Sequence, residues 1–238
     1  MSQPQAGDDG RAWLPLVAAH TERLLSTAGR LEDAAAPSLC DGWTRAHVLT
    51  HVARNAEAIG RLAQWAVDGR PREMYPGGAA ARDDEIERGA GRPLAELRED
   101  LRSTAEQLAP QLDRLSGDLL AEHVEMRGGL VVPSVRLPLL RLRELVFHHV
   151  DLEAGFTFAD VEPHLVRAFV DDAAQRLRRD RRAPGFEVRS TDGGVWTVGE
   201  PSAHLTGDLA DVLLWLARRR PDGIRSDEGT VPDLPPGA

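Results

Sequence analysis

Arg141-Leu142-Arg143-Glu144-Leu145-Val146-Phe147-His148-His149-Val150-Asp151-Leu152 is the stretch that decides the fold. At 3.6 residues per turn, Arg141, Glu144, His148 and Asp151 share one stripe of a helix. The other positions are mostly Leu, Val and Phe, so the helix is apolar around most of its circumference and reads as buried. A charged stripe on a buried helix must be satisfied, because an unpaired buried charge is very costly. Glu144 and His148 lie within roughly 40° of each other on one face. Two arrangements satisfy the stripe. One is a metal ion held between helices. The other is an Arg141–Glu144 ion pair along the helix, with the histidines packed in the core.

Upstream of this helix, a bundle takes shape. Apolar residues recur at helical spacing from Ala12 to Leu31, with His20 inside the pattern as a core-edge residue. Ala36 to Trp43 is a connection broken by Pro37 and Gly42. Thr44 stands as the N-cap of a second helix, which carries His47 and His51 four apart and fades near Asp68-Gly69-Arg70-Pro71. Either histidine is a possible ligand. His51 is the better one, because it lies deeper in the helix and His47 sits in the first turn. A long polar connection is expected next, running through Tyr75-Pro76-Gly77-Gly78 and Arg82-Asp83-Asp84-Glu85. Pro93 to Leu115 is a strongly periodic helix, kinked at Pro110. Pro138 occupies the first turn of the 141–152 helix. Four helices in the first 150 or so residues make a bundle by count and length.

Beyond Gly155 the pattern changes. A helix from Glu162 to Arg182 ends in an Arg cluster that suits the helix dipole. Phe186–Arg189 and Val195–Val198 flank Asp192-Gly193-Gly194 and read as a hairpin, with Ala203–Thr206 as a third strand. Asp208 to Arg219 is an amphipathic helix. The expected class is therefore α+β. A helical bundle spans 11–155, a smaller α/β domain spans 156–227, and flexible tails lie at 1–10 and 228–238.

Bulk properties bound the function. The chain has 238 residues, 42% of them hydrophobic, enough for packed cores. A formal charge of −9 argues against a general nucleic-acid partner. All 29 basic residues are arginine, a bias that suggests a GC-rich coding sequence of the actinobacterial kind. Cys40 is the single cysteine, so no disulfide forms within the chain, and a cytoplasmic location is expected. No apolar run is long enough to cross a bilayer and the acidic start is not a signal peptide, so no membrane association is expected.

His51 with Glu144 and His148 makes a set of two imidazoles and a carboxylate, ligand types that suit zinc with one coordination position open. Asp151, one turn past His148, would orient a ligand imidazole or contact cofactor or substrate. His149 faces another way. Cys40 reads as a small residue in a turn.

Several motifs in order resemble the DinB-like, mycothiol-dependent maleylpyruvate isomerase family. They are Leu39-Cys40-Asp41-Gly42-Trp43-Thr44 with His51, then Arg82-Asp83 with Glu85-Ile86-Glu87, then Arg141-x-Arg143-Glu144-x-x-x-His148-x-x-Asp151-Leu152. The helix from Gly207 to Leu216 and the arginines after it resemble the family's C-terminal part. The resemblance implies a DinB-like four-helix bundle followed by a sterol-carrier-like α/β domain. It implies a divalent metal, usually zinc, at His51, Glu144 and His148, with mycothiol as cofactor. Arg82 and, by position, Arg219 would contact an acidic substrate. The implied reaction is the cis–trans isomerisation of maleylpyruvate to fumarylpyruvate. The mycothiol thiolate adds to the double bond, the enolate rotates about the resulting single bond, and expulsion of the thiolate restores the alkene. The alternatives are a mycothiol S-transferase acting on another electrophile and a non-catalytic metal-binding module. A monomer or weak homodimer is expected.

Overall fold

The computed structural model describes residues 10–235, and the chain divides into two compact units, one up to Ala154 and one from Gly155 onward. The expected tail at 1–10 lies outside the described residues except for Gly10, which opens a short 3-10 turn, Gly10–Trp13.

Among the described residues the first unit holds five α-helices: α1 (Leu14–Arg30), α2 (Arg45–Asp68), α3 (Gly78–Ala90), α4 (Leu94–Asp113) and α5 (Leu137–Asp151). Helix α2 packs against α3, α4 and α5, while α1 packs on α4 and α5. Helix α2 is buried along most of its length, from Val48 to Ala66, because small residues (Ala53, Ala56, Gly60, Ala63) let neighbours approach on several sides. It stops at Gly69, whose φ of 70° is the left-handed conformation that a residue with a Cβ rarely adopts. Helix α5 begins with Pro138 in its first turn, as the sequence predicts. A two-stranded antiparallel ribbon, β1 (His123–Glu125) with β2 (Val131–Pro133), precedes α5.

Helix α3 corrects the expected polar connection. Only Ile86 and Gly89 of its 13 residues are buried, so it has almost no apolar stripe to betray it. It docks on α2 at a glycine: a Cβ on Gly89 would come within 2.3 Å of Thr50 Cγ2. Pro110 lies inside α4, which continues to Asp113.

The second unit contains α6 (Pro163–Arg179), β3 (Phe186–Ser190), β4 (Val195–Val198), β5 (His204–Gly207), α7 (Leu209–Arg218) and β6 (Arg225–Ser226). The sheet order is β4-β3-β5-β6. The β3/β4 hairpin is antiparallel, with Val188 opposite Trp196, while β3 and β5 run parallel. Phe186, Val188, Trp196, Leu205, Leu213 and Trp215 form an apolar core with α6 and α7. Strand β6 adds to the three strands expected from sequence; with two residues it is too short to leave a pattern. Past it, Leu234 is buried, and Arg219 donates to Pro235 O. Among the described residues no helix is long and apolar enough to cross a membrane.

Candidate metal centre

Helices α2 and α5 bring His51, Glu144 and His148 together, with one ligand atom of each within 4.8 Å of the others. His51 Nε2 stands 3.0 Å from Glu144 Oε2, and His148 Nε2 stands 3.5 Å from the same oxygen. The two imidazoles meet edge to face with centroids 4.5 Å apart. Donors about 2.0–2.1 Å from a tetrahedral zinc ion lie roughly 3.3 Å from each other. The observed separations bracket that value, so the donor set fits a small cation in both chemistry and spacing.

The hydrogen bonds assign the protons without conflict. Arg82 Nη2 donates to His51 Nδ1 at 3.1 Å, so Nε2 of His51 carries its proton and points it at Glu144. His148 Nδ1 donates to Asp151 Oδ2 at 2.8 Å. Burial is the main cause that lowers the pKa of His51 to about 4, reinforced by the charges of His148 and Arg82. The ring is therefore neutral at neutral pH. Burial also works against charge on His148. Hydrogen bonds with Asp151, Cys40 and Glu144 outweigh it and hold that imidazole well above its ordinary value. Burial would raise Glu144, but the two histidines overcome it and hold the carboxyl well below the usual range.

The structure separates the two histidines of α2. His47 Nδ1 accepts from the backbone N–H of Thr44 at 3.1 Å, closing a capping box in which His takes the usual Glu position. Its Nε2 faces Glu87 on α3 at 3.3 Å. His51, one turn deeper, enters the cluster. The pair on α5 splits as the sequence predicts: His148 faces the cluster and His149 Nε2 meets Thr27 Oγ1 on α1 at 2.8 Å.

Arg141 does not pair with Glu144 along the helix. Its fully buried guanidinium donates to Val52 O and Asn55 Oδ1 of α2, at 2.9 and 2.7 Å. Burial lowers its pKa to about 10, with Glu144 and Tyr75 pulling the other way. The ion-pair reading of the stripe therefore fails: α2 carbonyls take the cation, and Glu144 turns to the histidines. Asp151 stands one turn past His148 and contacts its ring. Its side chain has no solvent exposure and its Oδ2 faces His148, which is the geometry of an orienting residue.

Arg82, on α3, lies beside the cluster with Nη1 on Asp83 at 2.6 Å and its guanidinium 5.6 Å from the ring centroid of Tyr75. Arg219 belongs to the second unit. It has a left-handed backbone (φ 59°), and its guanidinium bonds Pro235 O and Leu216 O. Burial, then the neighbouring Arg218, lowers its pKa.

Three contributors carry no functional signal strong enough to single them out from sequence. Trp43 lies 5.4 Å from the His51 ring, Tyr75 lies under Arg82, and Cys40 Sγ stands 3.2 Å from Asp151 Oδ2. Trp43 and Cys40 do fall inside the motif that precedes α2, which is a hint. Tyr75 leaves none.

Residues 17–153 match the model of the mycothiol maleylpyruvate isomerase N-terminal domain. Two solved structures resemble the chain with a TM-score of 0.89 each, covering 96% of it and 97% of their own length. One is a crystal structure of a mycothiol-dependent maleylpyruvate isomerase, 27% identical. The other is a histidine-to-alanine mutant of such an isomerase, 26% identical. The comparison with curated proteins gave no significant match. By the match over 17–153, the chain belongs to the mycothiol maleylpyruvate isomerase N-terminal domain family.

Proposed function

We propose that the protein is a metal- and mycothiol-dependent cis–trans isomerase of maleylpyruvate-type substrates, with His51, Glu144 and His148 as the metal ligands. The convergence of these three side chains from two helices, in a chain of this family, carries the reading. Bound there, a divalent cation such as zinc would hold a thiol as its thiolate at neutral pH. The bond change is thiol addition to the conjugated alkene, rotation about the former double bond, and elimination.

The protein's own residues prepare this chemistry. Asp151 fixes the His148 ring with Nε2 turned to the cluster. Trp43 lies against the His51 ring, which is buried. Arg82 has a more specific role. A guanidinium only donates, so it can face His51 Nδ1 only while that nitrogen holds a free lone pair. Were His51 to hold a metal through Nε2, its remaining proton would sit on Nδ1, and Arg82 would be free to pair with a substrate carboxylate and with charge developing on the enolate. Arg219 is proposed as a further anion contact. Its hydrogen bonds go to carbonyl oxygens, so no carboxylate among the described residues neutralises it.

The test is metal analysis of the purified protein, then an assay with mycothiol and maleylpyruvate. Formation of fumarylpyruvate that requires both metal and thiol is the expected result. Accumulation of a thiol adduct without isomerisation would replace the isomerase with an S-transferase. Turnover without thiol dependence would reject both.

A further inference from the structure

The loop before α2 is stitched to the end of α5 more firmly than a connection requires. Within the loop, Ser38 N donates to Trp43 O, and Trp43 N donates to Cys40 O, at 3.0 and 2.9 Å. Gly42, at φ 76°, makes the turn between them. Leu39 N then donates to Asp151 O at 3.0 Å, while Arg45 Nε and Nη2 donate to Leu152 O and Glu153 O, at 2.6 and 2.8 Å. These bonds set the Cys40 side chain over Asp151, where Sγ lies 3.2 Å from Oδ2. The same oxygen accepts from His148 Nδ1. Cys40, His148 and Asp151 form a second group of converging side chains, with His148 shared between it and the candidate metal centre.

We infer that Cys40 is a positioning residue for that centre: its thiol donates to Asp151 Oδ2 and holds the carboxylate that orients His148. The inference rests on the metal-centre reading above and extends it by one residue. A buried carboxylate needs a full set of donors, because leaving it short of one carries a desolvation cost greater than that of a neutral group. Asp151 is fully buried, so removing the thiol leaves a carboxylate that recovers only by rotating or by shifting toward another partner. Either movement turns the His148 ring, and Nε2 leaves its place beside Glu144. Cys40 itself needs no contact with metal, thiol cofactor or substrate in this role.

Because Cys40 acts through Asp151, a double-mutant cycle tests the inference on the full chain. Zinc affinity is measured by competition with a chromophoric chelator for wild type, Cys40→Ala, Asp151→Asn and the double variant. The cobalt-substituted forms supply visible spectra that report ligand geometry. Loss of an outer partner of a ligating histidine typically weakens metal binding about 10- to 100-fold. Cys40→Ala should fall near the lower end of that range and shift the cobalt bands. In the Asp151→Asn background the same change should weaken zinc no further. Cys40→Ser, whose hydroxyl still donates, should recover most of the affinity, and Cys40→Val, which fills similar space and cannot donate, takes the place of Cys40→Ala in the cycle if the alanine variant does not fold. Zinc affinity of Cys40→Ala within twofold of wild type, or fully additive losses in the double variant, would overturn the inference. Failure of the wild type itself to take up zinc would instead reject the metal centre.

Discussion

The two compact units differ in what they bury. In the first unit, His20, Thr27, Thr50, His51, Asn55, Thr104, Ser134, Arg141, His149 and Asp151 are all buried. In the second, Ser190 is the buried polar residue among those described, and the interior is Phe158, Phe169, Phe186, Trp196, Trp215 and aliphatic side chains. Polar burial lowers stability unless each group finds partners; Arg141 finds them on α2 and His149 on α1, while His51 faces Glu144. The second unit follows the ordinary rule of an apolar core between sheet and helices. The contrast is what the proposed metal site predicts: the buried polar groups, His51 and Asp151 among them, lie in the first unit, while the second has an apolar core.

That division can be broken most directly at the ligands. His51→Ala or His148→Ala should lower metal affinity by more than about a hundredfold, beyond what an outer-partner change causes. Mycothiol-dependent turnover should vanish with the metal. A full equivalent of zinc in either variant, read by elemental analysis after dialysis, would remove that residue from the ligand set.

Core truncations sharpen the comparison. Arg141→Ala leaves Asn55 and the Val52 carbonyl without their donor and opens a cavity; it should destabilise by roughly 3–5 kcal/mol in urea unfolding. Phe186→Ala should cost a similar amount, roughly 3–5 kcal/mol. The two should differ in metal binding. The folded Phe186→Ala protein should keep its affinity, whereas Arg141→Ala should lose part of it because α2 and α5 are joined through that guanidinium. Equal effects on metal binding would erase the division between the units.

Arg82→Ala acts on substrate without removing metal. Loss of one charge-assisted contact is worth about 1.5–3 kcal/mol, so KM for an acidic substrate should rise roughly 10- to 100-fold. Zinc affinity should be unchanged or tighter, since Arg82 no longer holds the proton of His51 on the ligating nitrogen. Weaker zinc binding in this variant would contradict the proposed release of the guanidinium.

The smallest effect is a proton count. His51 is lowered to about 4 and Glu144 lies well below its usual range, so neither has a proton to lose at pH 7. His148 is raised well above 6.5 and is protonated there in the metal-free protein. Metal binding at pH 7 should therefore release about one proton, not two, and affinity should fall as pH drops and protons compete for His148. Calorimetric titration in buffers of different ionisation enthalpy measures the count. Release of no proton would reject the charged state of His148.

Much of this architecture is legible in the sequence. The helical apolar spacing of α1, α2 and α4, the proline that opens α5, and the Asp192-Gly193-Gly194 turn are local signals, and each element forms where its signal lies. Spacing on α5 also separates His148 from His149. The features that escape lack a local signal. Helix α3 buries two residues, too few for periodicity. The role of His47 depends on a capping box with an unusual third residue. The contact between Cys40 and Asp151 spans 111 positions of chain and is created by the loop folding back on α5. Arg141 shows the limit of a helical wheel: sharing a stripe with Glu144 does not make the two partners, because the guanidinium is taken by the carbonyl of Val52 and the amide of Asn55 on the facing helix.

X-ray absorption at the metal edge of the zinc-loaded protein, recorded without thiol, tests the central claim most directly. Two imidazole nitrogens and light oxygen donors, with no sulfur in the coordination shell, are the result expected from His51, Glu144 and His148. A single imidazole, or a sulfur at bonding distance from Cys40, would contradict it.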